Sequence, residues 1–419
     1  MKYEEYKGSG IEWIGEVPSH WTRCRFKDFT SLQTTASLDE ENKIGLENIE
    51  GKTGRFIESF SEFEGNGIQF KKGDIVYGKL RPYLQKVWIA TFSGNAVGDF
   101  FIFRAKDNCN NKYLFYTMLS DGFTSLCNGA TLGAKMPRVS SDFIRSMHLY
   151  LPPIKEQQAI ASYLDEKCGK INGAIDVQKK KIDLLNELKQ TIITNAVTKG
   201  LNPNAPMKDS GVEWIGEVPT HWEVMKTSLA FLGIGSGTTP STSRKEYYTE
   251  EDGLYWLQTG DLNDGEITDT SKKITSLAAD ECNLKFYPTD SVVIAMYGAT
   301  IGKVGLLKIS TSTNQACCVL PKSKRCIPAF AFYLFIGAKK QLLIDAMGGG
   351  QPNISQDIIK KLKVSIPPIS EQRIIVDHIA VEVSKIDAQI SKANRRIELL
   401  NELKQSIITE AVTGKIKVI

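Results

Sequence analysis

The sequence predicts a mixed α/β (α+β) protein in which two α/β lobes are separated by two long antiparallel helices forming a coiled coil, with a pseudo-two-fold internal repeat. Three observations predict it. A tryptophan-rich leader occurs twice, a helical element with an apolar seam occurs twice, and the segments between them hold short β-type runs but align poorly with each other. A repeated frame around diverged lobes implies one mechanical role for the frame and two separate tasks for the lobes.

The leader Ser9-Gly10-Ile11-Glu12-Trp13-Ile14-Gly15-Glu16-Val17-Pro18-Ser19-His20-Trp21 returns as Ser210-Gly211-Val212-Glu213-Trp214-Ile215-Gly216-Glu217-Val218-Pro219-Thr220-His221-Trp222. The second element, Leu151 to Thr198, matches Ile366 to Thr413 without a gap, and Leu184-Leu185-Asn186-Glu187-Leu188-Lys189-Gln190 is identical to Leu399-Leu400-Asn401-Glu402-Leu403-Lys404-Gln405. The expected divisions are a leader at 1–22, a lobe at 23–150, a long helix at 151–200, a second leader at 201–222, a second lobe at 223–365 and a second long helix at 366–419.

Each helical element carries small or apolar residues at alternating steps of four and three, the spacing of a coiled-coil seam. The second has Ile379, Val383, Ile386, Ile390, Ala393, Ile397, Leu400, Ile407 and Ala411, with Lys404 in one position; the first has Leu164, Cys168, Ile171, Ile175, Gln178, Ile182, Leu185, Lys189, Ile192 and Ala196. Pro152-Pro153 and Pro367-Pro368 bar helix upstream. Gly200 and Gly414 are expected to stop the helices. Helices of roughly 40 residues are about 60 Å long at 1.5 Å per residue. One seam per helix asks for one partner; the simplest is the other copy, with an ordinary helical hairpin core or a homodimer coiled coil as the alternatives. Two readings stand for Gln178, Lys189 and Lys404: they lie near helix ends or reach outward to solvent, or they fix the register.

The lobes read as strands at Asp74–Tyr77, Lys86–Ala90, Phe100–Phe103, Ser291–Ala295 and Cys317–Leu320, followed by helical patterns at about 111–127 and 328–346.

Composition excludes several classes. The 419 residues have a net charge of +4, too mild to argue by itself for nucleic-acid binding. No run approaches the roughly 20 apolar residues of a membrane span, and the polar start Met1-Lys2-Tyr3-Glu4-Glu5 lacks a signal core. A cytoplasmic protein is expected. The eight cysteines show no metal-type C-x2-C pair and are expected to be reduced. Gly233-Ile234-Gly235-Ser236-Gly237 resembles a nucleotide loop, but the Thr/Ser/Pro-rich stretch behind it is a poor helix, which argues against cofactor binding there. No phosphate-binding G-x4-G-K-[ST] loop and no Ser/His/Asp grouping is visible, so no catalytic residue and no metal site is expected. His20 and His221 are expected to pack the lobes onto the frame.

The chain resembles the specificity (S) subunit of type I restriction-modification enzymes over essentially its whole length. Trp13-Ile14-Gly15-Glu16-Val17-Pro18 and Trp214-Ile215-Gly216-Glu217-Val218-Pro219 look like the motif that opens a lobe. Leu151-Pro152-Pro153-Ile154-Lys155-Glu156-Gln157 and Ile366-Pro367-Pro368-Ile369-Ser370-Glu371-Gln372 look like the motif that closes one. Strings around Tyr77-Gly78-Lys79 and Tyr297-Gly298-Ala299 resemble segments of target recognition domains. The resemblance implies a non-catalytic subunit that binds double-stranded DNA, two modification (methyltransferase) subunits and restriction (translocase/nuclease) subunits. Each lobe would read one half of a bipartite, asymmetric target, and the helix pair would set the spacer. It implies no directly bound cofactor, since S-adenosylmethionine, ATP and Mg would belong to the partners.

Arginine and lysine grip phosphates or pair with guanine, while asparagine and glutamine pair with adenine. The DNA-facing candidates are therefore Lys79, Arg81, Tyr83, Lys86, Lys135 and Arg138 in the first lobe. In the second they are Thr300, Lys303, Asn314, Gln315, Gln351 and Asn353. For each of these, a solvated or structural role stands beside base contact. Tyr77 and Tyr297 read as core.

Overall fold

The computed structural model describes residues 2–37, 42–59, 66–133, 135–346 and 353–418. It divides into two compact units. The first holds Met1–Lys180 with Ala393–Ile419, and the second holds Lys181–Lys392. Both long helices, Ile154–Lys199 and Ile369–Val412, are cut by this division, so each unit contains one lobe and a part of each helix.

In the first unit a four-stranded antiparallel sheet runs in the order Thr30–Gln33, Phe100–Ala105, Ile75–Gly78, Val87–Ile89. The second unit repeats the order with Gly235–Ser236, Cys317–Leu320, Val292–Ala295 and Val304–Leu307, and adds Gly265–Ile267 in parallel at the edge. Each lobe also carries a smaller four-stranded sheet. The strands that begin and end each lobe pair with each other: Thr22–Arg25 with His148–Leu151, and Glu223–Lys226 with Lys363–Ile366. Each lobe is thereby pinched into a closed body directly ahead of its long helix.

The helical stretch expected at 111–127 is two helices, Asn111–Leu119 and Asp121–Gly129. Ser120 breaks it: its backbone is extended and its hydroxyl accepts from the Phe123 amide, the geometry of an N-cap. The counterpart Pro328–Ala346 has no such capping residue and runs through unbroken.

Each lobe completes its core with helix ends. Ile160, Leu164 and Cys168 cluster with Ile408, Ala411 and Val412 in the first unit, and Ile193, Ala196 and Val197 with Ile375 and Ile379 in the second. In both units the start of one long helix therefore lies against the end of the other, and the helices run antiparallel. Seam positions such as Ile171, Ile175, Leu185, Ile386 and Ala393 are buried. Lys404 is the departure. It neither frays near the helix end nor reaches solvent: it is 2% exposed, and its ammonium donates to Asn172 Oδ1 at 3.1 Å. Burial holds its pKa below the ordinary lysine value. Lys189 occupies the equivalent position of the repeat and bonds Asp387, the residue equivalent to Asn172, at 2.8 Å. The frame thus makes an equivalent cross-helix polar contact twice, buried at Lys404 and partly exposed at Lys189, and the buried one acts as a polar seam residue that specifies register.

The lobe-closing motif explains itself in the same duplicated way. Glu156 accepts from the Tyr3 hydroxyl and from Trp21 Nε1 at 3.1 Å, and lies 2.8 Å from His20 Nε2. Glu371 meets Trp222 Nε1 at 3.0 Å and His221 Nε2 at 2.8 Å. Gln157 donates to Asn108 and Pro152 carbonyls and accepts from the Asn110 amide. Gln372 does the same with Arg325, Pro367 and Ile327. The glutamate holds the leader and the glutamine holds the lobe, so adjacent residues on the first turn of each long helix join three segments. The histidines belong to this clasp.

The glycines behind each helix have left-handed backbones, Gly200 at φ 72° and Gly414 at φ 75°. Each closes on a leader tryptophan, since a Cβ at either would stand 3.1 Å from the ring of Trp222 or Trp21. Among the described residues no helix is long and apolar enough to cross a membrane.

Candidate nucleic-acid interface

In the first lobe the chain leaves the strand Ile75–Gly78 into a loop pinned from both sides. The Lys79 amide donates to Asp99 O at 2.9 Å, and its carbonyl accepts from the Val139 amide at 3.2 Å. The Arg81 amide donates to Pro137 O at 2.8 Å. Leu132 and Arg138 exchange two backbone bonds of 3.0 Å, closing the turn between them. The fold thereby brings Lys79, Arg81, Tyr83, Lys135 and Arg138 into one neighbourhood from positions some fifty residues apart in sequence.

Their side chains differ in availability. Arg81, Tyr83, Lys135 and Arg138 are exposed. Arg138 stands 4.0 Å from Asp99, a loose ion pair. Lys79 is half-buried, donates to Gly98 O and lies over the Phe101 ring at 5.6 Å. Lys86 turns away, donating to the Leu46 and Ile49 carbonyls at 2.5 and 2.8 Å, and burial lowers its pKa. It braces the neighbouring loop from within. Tyr77 is a core residue, 2% exposed.

The second lobe builds the same backbone from different residues. Met296 stands where Lys79 does: its amide donates to Ala316 O at 2.8 Å and its carbonyl accepts from the Ile354 amide at 2.8 Å. The loop that follows is closed by Lys303 N to Thr300 O at 2.9 Å and Gly302 N to Ala295 O at 2.8 Å. Thr300 and Lys303 are half-buried on it. Asn314 spends its side-chain oxygen on the Ala316 amide at 3.2 Å, and the exposed Gln315 accepts from the Thr239 hydroxyl. Asn353 is exposed beside Ile354, so the loop 296–303 meets both amide-bearing segments. Gln351 lies outside the described residues, as do Ala134 and Gly348-Gly349-Gly350. Thr239 was not singled out from sequence. It comes from the strand-edge segment behind Gly237, where a Cβ would stand 1.7 Å from Thr313 O, so that glycine serves close packing against a strand.

The two loops share left-handed backbones at two positions, and at both the second lobe has glycine where the first does not; at the seventh residue after the strand Gly302 at φ 75° stands where the first lobe has Gln85 at φ 48°. The third residue after the strand has a left-handed backbone in both lobes: Gly298 at φ 85° in the second, Arg81 at φ 49° in the first. Glycine adopts this region freely, whereas an L-residue pays about 1–2 kcal/mol. The first lobe's loops are also the more basic, with Arg81, Lys135 and Arg138 exposed against Gln315 and Asn353 in the second.

A family model described as "Type I restriction modification DNA specificity domain" matches residues 18–192 and 219–401. The chain is 27% identical to the type I restriction enzyme MjaVIII specificity subunit of Methanocaldococcus jannaschii, over 73% of this chain and 70% of that one. It is 23% identical to the putative MjaX specificity subunit of the same organism over 97% and 96%, and 26% identical to the EcoDI specificity subunit of Escherichia coli over 44% and 43%. A structure reported under the assembly and conformational transition of the type I restriction-modification system superposes with a TM-score of 0.69 at 17% identity, covering 96% of this chain and 99% of that one.

Proposed function

This chain belongs to the type I restriction-modification DNA specificity family, and from that premise we propose that each lobe reads one half of a bipartite, asymmetric DNA target. It is the recognition subunit of its complex and is not itself catalytic. The reading loops are 79–83 with 132–133 and 135–138 in the first lobe, and 296–303 with 314–315 and 353 in the second. S-adenosylmethionine, ATP and Mg are assigned to the methyltransferase and restriction partners. The observation that carries the reading is a frame whose Glu-Gln clasp is repeated residue for residue while the loops in equivalent places carry different chemistry. Different loop chemistry means different half-sites, and hence a target that is not a palindrome.

The test is methylation mapping. Co-expression with the modification subunit in a host free of N6-methyladenine is expected to mark a bipartite, non-palindromic motif with a fixed spacer. Exchanging residues 23–150 for those of a relative is expected to change one side only. A stable complex that marks no motif would reject DNA reading in favour of a protein-binding adaptor.

The helix pair further supports docking of two modification subunits. Leu184 and Leu188 on the first long helix, and their equivalents Leu399 and Leu403 on the second, are 48–56% exposed. They lie in the identical heptapeptide and one turn apart, so the chain presents the same apolar patch twice, as two copies of one partner require. Leu184→Glu with Leu188→Glu is expected to weaken one copy's binding by about 3 kcal/mol, roughly a hundredfold. The stoichiometry by native mass spectrometry then falls from two to one, and adding the Leu399 and Leu403 changes takes it to zero. Two bound copies in the fourfold variant would place the docking surface elsewhere.

A further inference from the structure

We propose that Arg81 is a specificity-determining residue that reads a guanine in the half-site recognised by the first lobe; this rests on the DNA-reading function above and names a base for it. Both lobes run the same loop off the same strand, tied by equivalent backbone bonds at Lys79 and Met296. At the left-handed position the second lobe uses Gly298, the residue that this backbone favours, and the first lobe uses Arg81. Non-glycine strain held by a rigid surround marks positions where the side chain is used; at the loop's other such position Gln85 is buried and bonded to Asp121 and Gln405, where the second lobe has Gly302, whereas the Arg81 side chain is exposed. The surround is rigid: the Arg81 amide is bonded to Pro137 O at 2.8 Å, and its carbonyl accepts from Leu84 at 2.9 Å, closing the single turn Pro82–Leu84.

What the side chain does not do narrows the role. Among the described residues the Arg81 guanidinium has no hydrogen bond or ion pair, whereas Lys79 and Lys86 are engaged with their own lobe and Arg138 lies toward Asp99. It is exposed on a backbone tied to both Pro137 and Leu84. A guanidinium fork presents two parallel donors, which match the O6 and N7 acceptors of guanine in the major groove and no other base edge as well. A phosphate contact would be served by a lysine on an unstrained backbone, such as the exposed Lys135. Gly298 gives the second lobe no such fork, so the guanine contact belongs to one half-site.

The test uses the complex with its modification subunit and begins with the mapped motif, in which the first lobe's half-site should contain a guanine. Duplexes carrying each base at that position are then titrated with the wild type and with Arg81→Gly. That variant relieves strain and installs the residue of the other lobe, so it folds. The wild type is expected to prefer guanine by roughly 5- to 150-fold, and the variant by less than twofold, with the other positions and the slope of affinity against salt unchanged. A first-lobe half-site without guanine, or a guanine preference that survives the substitution, overturns the proposal. So does uniform weakening with a salt slope reduced by about one, which identifies a phosphate contact. A wild-type complex that marks no bipartite motif would instead sink the underlying function.

Discussion

Glu156→Ala is expected to lower the stability of the first unit by about 3–5 kcal/mol. Its carboxylate is only 5% exposed and gathers the Tyr3 hydroxyl, Trp21 Nε1 and His20 Nε2. The phenol of Tyr3, pressed against it, has its pKa pushed well up by burial and by that negative charge. Alanine would leave the fully buried Trp21 with an indole N–H and no acceptor, and would release the leader from the helix. Glu371→Ala should cost about half as much. Its side chain is 27% exposed, so water can replace the lost acceptor, and Asn204 stands where the first copy has Tyr3. Urea unfolding of both variants, with hydrogen exchange of the leader residues, measures the difference. Equal losses would show that the two clasps are energetically alike and that the tyrosine contributes nothing.

Asn172→Asp is expected to stabilise the protein by about 1–3 kcal/mol, an uncommon direction for a substitution at a packed helix seam. Lys404 is buried against a neutral amide, while its equivalent, Lys189, faces the carboxylate of Asp387. The desolvation cost of Lys404 has already been met in folding, so a carboxylate at 172 adds attraction without burying a second cation. The pH dependence carries a sign. Burial lowers the folded pKa of Lys404 below its unfolded value of about 10.4. Between the two values the unfolded chain binds more protons, so the wild type gains stability as pH rises through that window. In Asn172→Asp the folded pKa moves back up and the gain shrinks. Melting temperatures from pH 7 to 10 test both statements; a variant no more stable than wild type at pH 7 would mean that the ammonium is already well solvated.

The frame was legible in the sequence because its signals are local or repeated. A coiled-coil seam is a period, a Pro-Pro pair is a steric stop, and a duplicated leader is its own evidence. The strands at 74–77, 291–295 and 317–320 were legible because their side chains are buried on both faces and read as continuous apolar runs. The neighbourhood of Lys79, Arg81, Lys135 and Arg138 was legible only as residue types in two separate loops. Nothing local distinguishes Lys86, which spends its charge on carbonyls, from Arg81, which does not.

The sequence by itself determined the duplicated frame, the heptad phase of both helices, the places where they start and stop, and the family that those motifs mark. Tertiary structure alone decided what the motifs hold. The Glu-Gln pair after each Pro-Pro is a string in sequence and a junction of leader, lobe and helix in space. The equivalence of Arg81 and Gly298 is invisible to alignment of such diverged loops and appears as a shared left-handed backbone tied by matching backbone bonds. The physical reason is the same in each case. Periodicity and backbone sterics act between neighbours in the chain, whereas burial, hydrogen-bond partners and strain are set by residues that only folding brings together.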